Sequence, residues 1–185
     1  GDEKWITEKG GKQLLERVNL WDHFAIIPVS DPLMAAVHPT NLMKEEQSHL
    51  IVENKTTYQG LLPALTDTSF STLIYGSGRK IIKSIEQFDI QFQISYANHT
   101  FYYFGDIDRE GISIWHGLQK KRSVQPAISF YRACFDKQII KGKENQRWND
   151  TAIAMFSSFF TEKEQVHLHN VLDSGYYYPQ EVLQA

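Results

Sequence analysis

The sequence predicts an α/β domain with a mainly parallel sheet of about four strands and helices on both faces. Three largely apolar runs, residues 48–52, 71–75 and 101–104, each end in a polar or glycine-containing turn, and a helix-compatible segment follows each turn. Alternating strands and helices favour parallel strands, because each crossover returns the chain to the same edge of the sheet. The 185 residues are 42% hydrophobic, which suffices for the sizeable core of one domain.

Two regions are expected along the chain. Residues 1–20 are predicted as an N-terminal tail with a short helix at residues 12–20, and residues 21–185 as the main, catalytic domain. Within the main domain, residues 24–29 fit a short strand. Residues 30–44 contain two prolines and are predicted as an irregular link into the first long strand.

Two strand-helix units follow. Glu53 comes directly after the run at residues 48–52, and a helix-compatible stretch extends to residue 62. The run at residues 71–75 is followed by a Gly-Ser-Gly turn and a second helix-compatible stretch at residues 79–87. A glycine pair of this kind is typical of a tight turn, and the pattern of a nucleotide-binding P-loop is absent from the sequence.

The most informative stretch is residues 101–111, in which four aromatic residues precede Gly105, Asp106 and Asp108. Four bulky residues in a row are typical of a strand that is covered on both faces. Gly105 allows the backbone to turn, so both aspartates can point the same way. Two carboxylates this close repel each other unless a cation lies between them, and Mg²⁺ is a hard cation that carboxylates bind. The sequence therefore predicts a metal site at this strand end, near Glu53.

Helices are expected in the last third of the chain. Residues 136–148 are polar and basic and are predicted as a loop, and residues 150–160 fit a helix. Thr161 and Glu164 have the spacing of a capping box, which predicts a further helix that ends near Gly175.

The single cysteine, Cys134, lies just after a predicted strand at residues 128–131. One cysteine excludes an intramolecular disulfide and favours a reducing compartment. The thiol is predicted to be a buried structural group, because no obvious combination of a histidine with an asparagine or aspartate lies beside it. No run approaches the roughly eighteen apolar residues of a membrane span. We therefore expect a cytoplasmic protein that does not contact membranes.

The formal net charge of −3 argues against bulk electrostatic coating of nucleic acid, but it does not exclude a nuclease. Local phosphate contacts could come from two basic clusters, Arg79-Lys80-Lys83 and Lys120-Lys121-Arg122. Such clusters are also typical of solvated helix faces, so both interpretations stay open.

The strand-end acids resemble those of the Toprim domain, which topoisomerases, primases and several nucleases share. A Toprim domain carries a glutamate at the end of its first conserved strand and an Asp-x-Asp motif at the end of a later strand. Glu53 and the pair Asp106 and Asp108 occupy those places. The resemblance implies a Toprim, Rossmann-like fold.

The fit is closer to one branch, the C-terminal domain of JetD, the nuclease subunit of the Wadjet anti-plasmid defence system. Residues 50–57, Leu-Ile-Val-Glu-Asn-Lys-Thr-Thr, resemble the strand end of that family, and residues 103–111, Tyr-Phe-Gly-Asp-Ile-Asp-Arg-Glu-Gly, resemble its aspartate block. Residues 75–78 resemble its glycine turn. Residues 179–181 resemble its terminal motif, although a proline replaces the acidic first residue. The resemblance covers about residues 20–185.

This resemblance implies a metal-dependent DNA endonuclease that hydrolyses phosphodiester bonds. Asp106 and Asp108 would coordinate Mg²⁺, with Mn²⁺ as a substitute, and Glu53 would be a shared metal ligand or the general base that activates water. Glu181 would complete a second metal position if the C-terminal segment folds back over the sheet. The expected catalytic set is therefore Glu53, Asp106, Asp108 and Glu181, with the first three as metal ligands.

The expected partners are DNA, with circular duplex DNA as the substrate, SMC-like subunits of the defence complex and a second copy of the chain in a homodimer. Water is favoured over a tyrosine of residues 176–178 as the attacking group, because an aromatic run before a proline is typical of packing. Two alternatives remain open: a non-catalytic DNA- or partner-binding Toprim module, and a Mg²⁺-dependent phosphoryl-transfer enzyme. Retention of all three acids argues against the first, and the lack of an Asp-x-Asp-x-Thr/Val block after the first strand argues against the second.

Overall fold

The computed structural model describes residues 5–6, 10–24, 30–143 and 146–183. The chain divides into two compact units, residues 1–30 and residues 31–185, and each is described by itself.

The first unit contains a short helix, α1 (Gly11–Arg17), which confirms the helix predicted near this position. The helix places Lys12 one turn before Glu16, at 3.7 Å, and the Lys12 ammonium group lies 5.3 Å from the centre of the Trp21 ring. A 3₁₀ helix, Trp21–Phe24, follows. A strand is predicted at residues 24–29. Its first residue, Phe24, is the last residue of the 3₁₀ helix, and residues 25–29 lie outside the described residues.

The second unit is built on a five-stranded sheet with the order β1-β3-β2-β4-β5. Its strands are β1 (Met34–Val37), β2 (Glu46–Val52), β3 (Phe70–Tyr75), β4 (Asn98–Phe104) and β5 (Val124–Pro126). Strands β2 to β5 are parallel, and β1 pairs antiparallel with β3 at the edge. The mostly parallel α/β prediction is confirmed, with five strands rather than about four. The chain moves from β2 to β3 on one side and then to β4 on the other, which creates a crevice between the ends of β2 and β4.

Helices cover both faces of this sheet. The described part of the second unit contains α2 (Lys55–Leu61), α3 (Ile81–Ser84), α4 (Phe88–Phe92), α5 (Arg109–Gln119), α6 (Ile128–Cys134), α7 (Asp150–Ser157) and α8 (Glu162–Asp173). Side chains alternate between faces along a strand, so Phe101 and Phe104 of β4 point in opposite directions. Phe101 packs against Phe88 of α4 with 4.9 Å between ring centres, and Phe104 packs against Phe130 of α6 at 5.3 Å.

Two sequence predictions are wrong. The irregular link predicted over residues 30–44 contains β1. Its four residues are all apolar, although at most half-buried, and the prolines on either side of this short run lead to the prediction of a link. The strand predicted at residues 128–131 is the first part of α6. Tyr131 and Cys134 are both buried, and residues three apart share one face of a helix but not of a strand.

The late helices follow their capping signals. Thr161 is the N-cap of α8: its backbone N–H donates to Glu164 Oε2 at 2.8 Å, and its Oγ1 accepts from the backbone N–H of Glu164 at 3.4 Å. The predicted capping box is therefore confirmed. The predicted loop at residues 136–148 contains a two-residue strand, β6 (Ile140–Lys141), which pairs with β7 (Tyr176–Tyr177). Within the described residues, no helix has the length and apolar character that crossing a membrane requires.

Candidate functional site

Three predicted acids meet where β2 and β4 end side by side. The backbone N–H of Glu53 donates to Phe104 O at 3.1 Å, so the first residue after β2 still pairs with the end of β4. Asp106 and Asp108 lie in the turn between β4 and α5. Asp108 is the N-cap of α5, and its Oδ1 accepts from the backbone N–H of Gly111 at 2.6 Å. The two strand ends thus bring Glu53, Asp106 and Asp108 to one crevice.

The C-terminal segment folds back onto this crevice and adds Glu181 to the acids. Asn54 connects the parts, because its Nδ2 donates to Asp106 Oδ1 at 3.1 Å and to Glu181 Oε1 at 3.0 Å. The backbone N–H of Gln180 also donates to Asp106 Oδ1, at 2.8 Å. The structure therefore gathers all four predicted acids, while the role of each stays a prediction.

Gln180 attaches the C-terminal segment to both strand ends. Its side chain is fully buried. Its Nε2 donates to Phe104 O, and its Oε1 accepts from the backbone N–H of Asn54 at 2.9 Å. Nearby, the backbone N–H of Ile107 donates to Tyr178 O at 2.8 Å. These contacts determine where Glu181 lies.

The carboxyl group of Glu53 accepts a hydrogen bond from a buried tyrosine. The hydroxyl of Tyr103, which is fully buried, donates to Glu53 Oε2 at 2.7 Å. Gly105 passes directly beside this pair: a Cβ at Gly105 would lie 2.5 Å from the Tyr103 hydroxyl and 2.6 Å from Glu53 Oε2. The backbone N–H of Gly105 donates to the Tyr131 hydroxyl at 2.9 Å. Glycine is needed here because any larger residue would displace Glu53 or Tyr103.

The crevice favours protonated carboxyl groups. Burial raises the pKa of Glu53 from 4.5 to about 7; the Tyr103 hydrogen bond opposes this rise, and the charges of Asp106 and Asp108 add to it. Burial likewise raises the pKa of Asp106 to about 6, against the hydrogen bond from Gln180. Burial also raises the pKa of Asp108. Carboxyl groups with raised pKa values in a crevice mark a candidate functional site, because structural carboxylates are more often stabilised in the charged form.

The donor set fits a hard cation by its chemistry, because carboxylate oxygens are the ligands that Mg²⁺ prefers. Among the described residues, however, no three His, Cys, Asp or Glu side chains are arranged to hold an ion. Each carboxylate accepts instead from a protein donor; Asp108 Oδ2, for example, accepts from Gln146 Nε2 at 2.5 Å. Glu53, Asp106 and Asp108 would hold the metal only after leaving some of these donors.

Both basic clusters are largely engaged in ion pairs. In the first, Arg79 Nε lies 2.5 Å from Glu110 Oε1, and Lys80 Nζ lies 3.3 Å from Asp31 Oδ2. The second cluster is paired in the same way, with Lys121 on Glu86 and Arg122 on Asp89. Their arrangement favours the interpretation as helix-surface charges over the interpretation as phosphate contacts.

Two other reactive side chains, Cys134 and Tyr178, are buried. Burial raises the pKa of the Cys134 thiol to about 12, which disfavours the thiolate form that a nucleophile requires. Tyr178 is buried, and its hydroxyl contacts Phe135 O at 3.1 Å and His167 Nε2 at 2.7 Å, in agreement with its interpretation as a packing residue.

Sequence reasoning missed the uncharged donors around the acids. Asn54, Tyr103, Gln146 and Gln180 contact the site through pairs up to 127 positions apart in the chain. Three of them lie inside the motifs of the sequence: Asn54 follows the strand-end glutamate, Tyr103 opens the aspartate block, and Gln180 precedes Glu181. Their position in a motif that contains an acid is the signal that the sequence offers.

One comparison with known proteins identifies a family. The model of the family described as Wadjet protein JetD, C-terminal, matches residues 13–173. No curated protein matches the chain. The matched range contains Glu53, Asp106 and Asp108.

Proposed function

The chain belongs to the family of the C-terminal region of the Wadjet protein JetD, and from this premise we propose that it is a metal-dependent DNA endonuclease domain of the Toprim type. The proposal assigns it to a multi-subunit defence complex that acts on plasmid or phage DNA. Circular duplex DNA is the proposed substrate, SMC-like subunits are the proposed partners, and a homodimer is the proposed assembly.

One observation supports this function above the others: four carboxylates from three separate chain segments meet in one crevice. Burial in this crevice, to which the neighbouring acidic charges add, destabilises the charged forms of the acids, as the raised pKa values of Glu53 and Asp106 indicate. A fold retains unfavourable clusters of this kind chiefly at functional sites. Phosphodiester cleavage requires groups that bind cations and groups that move protons, and carboxylates supply both.

Each acid has a role that its surroundings support. Asp106 and Asp108 would hold Mg²⁺, which when bound supplies charge for the phosphate oxygens. Glu53, with a pKa raised to about 7, can accept a proton near neutral pH, as a general base for water must. Tyr103 holds Oε2 of Glu53, which orients the carboxyl group. Glu181 lies within reach of the same site through Asn54 and would take the second metal position.

The test combines metal binding with DNA cleavage. Mg²⁺ and Mn²⁺ binding is measured by calorimetry for the wild type and for an Asp106→Ala/Asp108→Ala variant, and plasmid nicking is measured on the same samples. We expect the variant to lose metal binding and nicking together, because it removes two ligands from one site. A variant with two exposed aspartates removed, Asp31→Ala/Asp67→Ala, is the matched control and should retain both.

Equal metal binding by the wild type and the Asp106→Ala/Asp108→Ala variant would refute the site. A wild type that hydrolyses small phosphate esters but leaves plasmid DNA intact would favour the phosphoryl-transfer alternative. A wild type that binds DNA with neither metal binding nor cleavage would favour the non-catalytic module.

A further inference from the structure

We propose that Asn54 is the positioning residue that keeps the acidic crevice assembled without a cation, by joining Asp106 to Glu181 and anchoring the C-terminal segment. The joining atom is Asn54 Nδ2, which donates to both carboxylates. The anchoring atom is its backbone nitrogen, which donates to Gln180 Oε1.

The side chain of Asn54 does not cap the helix that it precedes. Asn54 is the N-cap of α2, with extended backbone angles of φ −93° and ψ 142°. Asparagine at this position usually accepts a hydrogen bond from a backbone N–H in the first turn of the helix. Asn54 makes no such bond. Its carboxamide donates instead to Asp106 and Glu181, so α2 begins without a side-chain cap.

The Asn54 carboxamide lies between two acidic groups and gives each of them a hydrogen-bond donor. Asp106 Oδ1 and Glu181 Oε1 are 3.1 Å and 3.0 Å from the same nitrogen, so the two oxygens can be no farther apart than these distances together. Carboxylates at this spacing repel each other. The amide donates to both carboxyl groups and does not itself titrate.

The contacts of Asn54 close a loop of three chain segments. Asn54 follows β2 and contacts Asp106, which follows β4. Gln180 donates its backbone N–H to the same oxygen of Asp106 and accepts from the backbone of Asn54. Removal of the Asn54 side chain breaks its contacts with Asp106 and Glu181, so the contacts of Gln180 alone then join the C-terminal segment to Asp106 and Asn54.

A further consequence rests on the proposed function. A cation bound by Asp106 and Glu181 would compete with Asn54 Nδ2 for the same oxygens. Asn54 would then release them, and its side chain would become free to cap α2. On metal binding, Asn54 would thus exchange its contact with the acids for a contact with the first turn of α2.

The first test is amide hydrogen exchange without metal, in EDTA, on the wild type and an Asn54→Ser variant. Serine is a favourable N-cap residue, so the start of α2 is retained. Serine lacks the amide that contacts Asp106 and Glu181, so only this contact is removed. We expect exchange of the Gln180 N–H to accelerate about tenfold or more. The variant loses the two charge-assisted hydrogen bonds of Asn54 Nδ2, so Asp106, which accepts from this N–H, and the adjacent Glu181 are held less firmly. The Ile107 N–H, which donates to Tyr178 O, should exchange at the wild-type rate.

The matched control is Asn98→Ser. Asn98 Nδ2 donates to Glu46 Oε1 at 2.7 Å, which is the same kind of asparagine-carboxylate pair between the same two strands at the opposite end of the sheet. This variant should leave the Gln180 N–H unchanged. An unchanged Gln180 N–H in Asn54→Ser, or an equal acceleration at Ile107, would overturn the proposal. If Asn54→Ser does not fold, the isosteric Asn54→Asp variant, which puts a third carboxylate in the bridge, should show the same acceleration.

The second test follows the Asn54 side-chain NH₂ protons of the wild type by nuclear magnetic resonance during a Mg²⁺ titration. We expect them to exchange slowly without metal and rapidly at saturation. Saturation with the protons still protected would overturn the release of Asn54. A wild type that binds no Mg²⁺ would refute the proposed function. The exchange of the Gln180 N–H in EDTA would still test the positioning role of Asn54, because that measurement needs no metal.

Discussion

Replacement of Glu53 by glutamine is expected to stabilise the protein at alkaline pH. In the folded protein the pKa of Glu53 is raised from 4.5 to about 7, and one unit corresponds to about 1.4 kcal/mol, so the charged form carries a penalty of about 3 kcal/mol. Glutamine has nearly the same shape, and its amide oxygen can still accept from Tyr103. The variant therefore removes the penalty and retains the contact.

The sign follows from proton binding. Between pH 4.5 and about 7 the folded protein holds the Glu53 proton and the unfolded chain does not. The free energy of unfolding therefore falls as pH rises through this window, and the full penalty is present above it. Between pH 5 and pH 8, Glu53 alone should lower the stability by about 2 to 3 kcal/mol.

The assay is urea unfolding at pH 5 and pH 8 in EDTA. The wild type should lose about 2 to 3 kcal/mol more than the Glu53→Gln variant between these two pH values. Glu45→Gln, which changes an exposed carboxylate, is the control and should retain the wild-type difference. Identical pH dependence in the wild type and in Glu53→Gln would refute the inference that Glu53 is buried with a raised pKa.

Three further changes test the packing and capping of the fold. Gly105→Ala would place a Cβ 2.5 Å from the Tyr103 hydroxyl and should lower the free energy of unfolding by about 2 kcal/mol. The control, Gly60→Ala in α2, meets no atom within 4 Å and should raise the free energy of unfolding by up to about 1 kcal/mol. Equal shifts of the two variants in thermal unfolding would contradict this prediction. Thr161→Ala breaks the capping box of α8 and should lower the free energy of unfolding by about 1 kcal/mol, measured by urea unfolding, and no change would show that the cap contributes nothing. Tyr103→Phe removes the donor to Glu53 Oε2 and should move the carbon-13 titration midpoint of Glu53 above about 7; an unmoved midpoint would exclude Tyr103 as a stabiliser of the charged form.

The parts of the fold that the sequence predicts are those in which burial leaves a pattern. Strands β2, β3 and β4 lie inside the sheet and read as apolar runs. Strand β1 is a short edge strand of four apolar residues, and the prolines at positions 32 and 39 make this short run resemble part of an irregular link. The residues of α6 have high strand propensity, but tertiary contacts decide their conformation, because Tyr131 and Cys134 pack on one side.

The acids of the site could be predicted because carboxylates at strand ends form a local pattern. Glu53, Asp106 and Asp108 each lie within four residues of a strand end. The donors that position them have no such pattern, because Asn54 and Gln180 act across 126 positions and Gln146 reaches Asp108 across 38. The tertiary fold decides which acid or backbone group each of these side chains contacts, and the neighbouring sequence does not show it.

The attachment of Gln180 to the strand ends has a consequence for how the protein is made. Ribosomes deliver the chain from the N-terminus at roughly 5 to 20 residues per second, so Asn54 and Phe104 emerge well before Gln180. Until then Phe104 O lacks the donor from Gln180, and Asp106 lacks the Gln180 backbone N–H. Translation therefore produces the sheet first and the acidic crevice last, and a chain stalled before residue 180 would display the acids without their assembled arrangement.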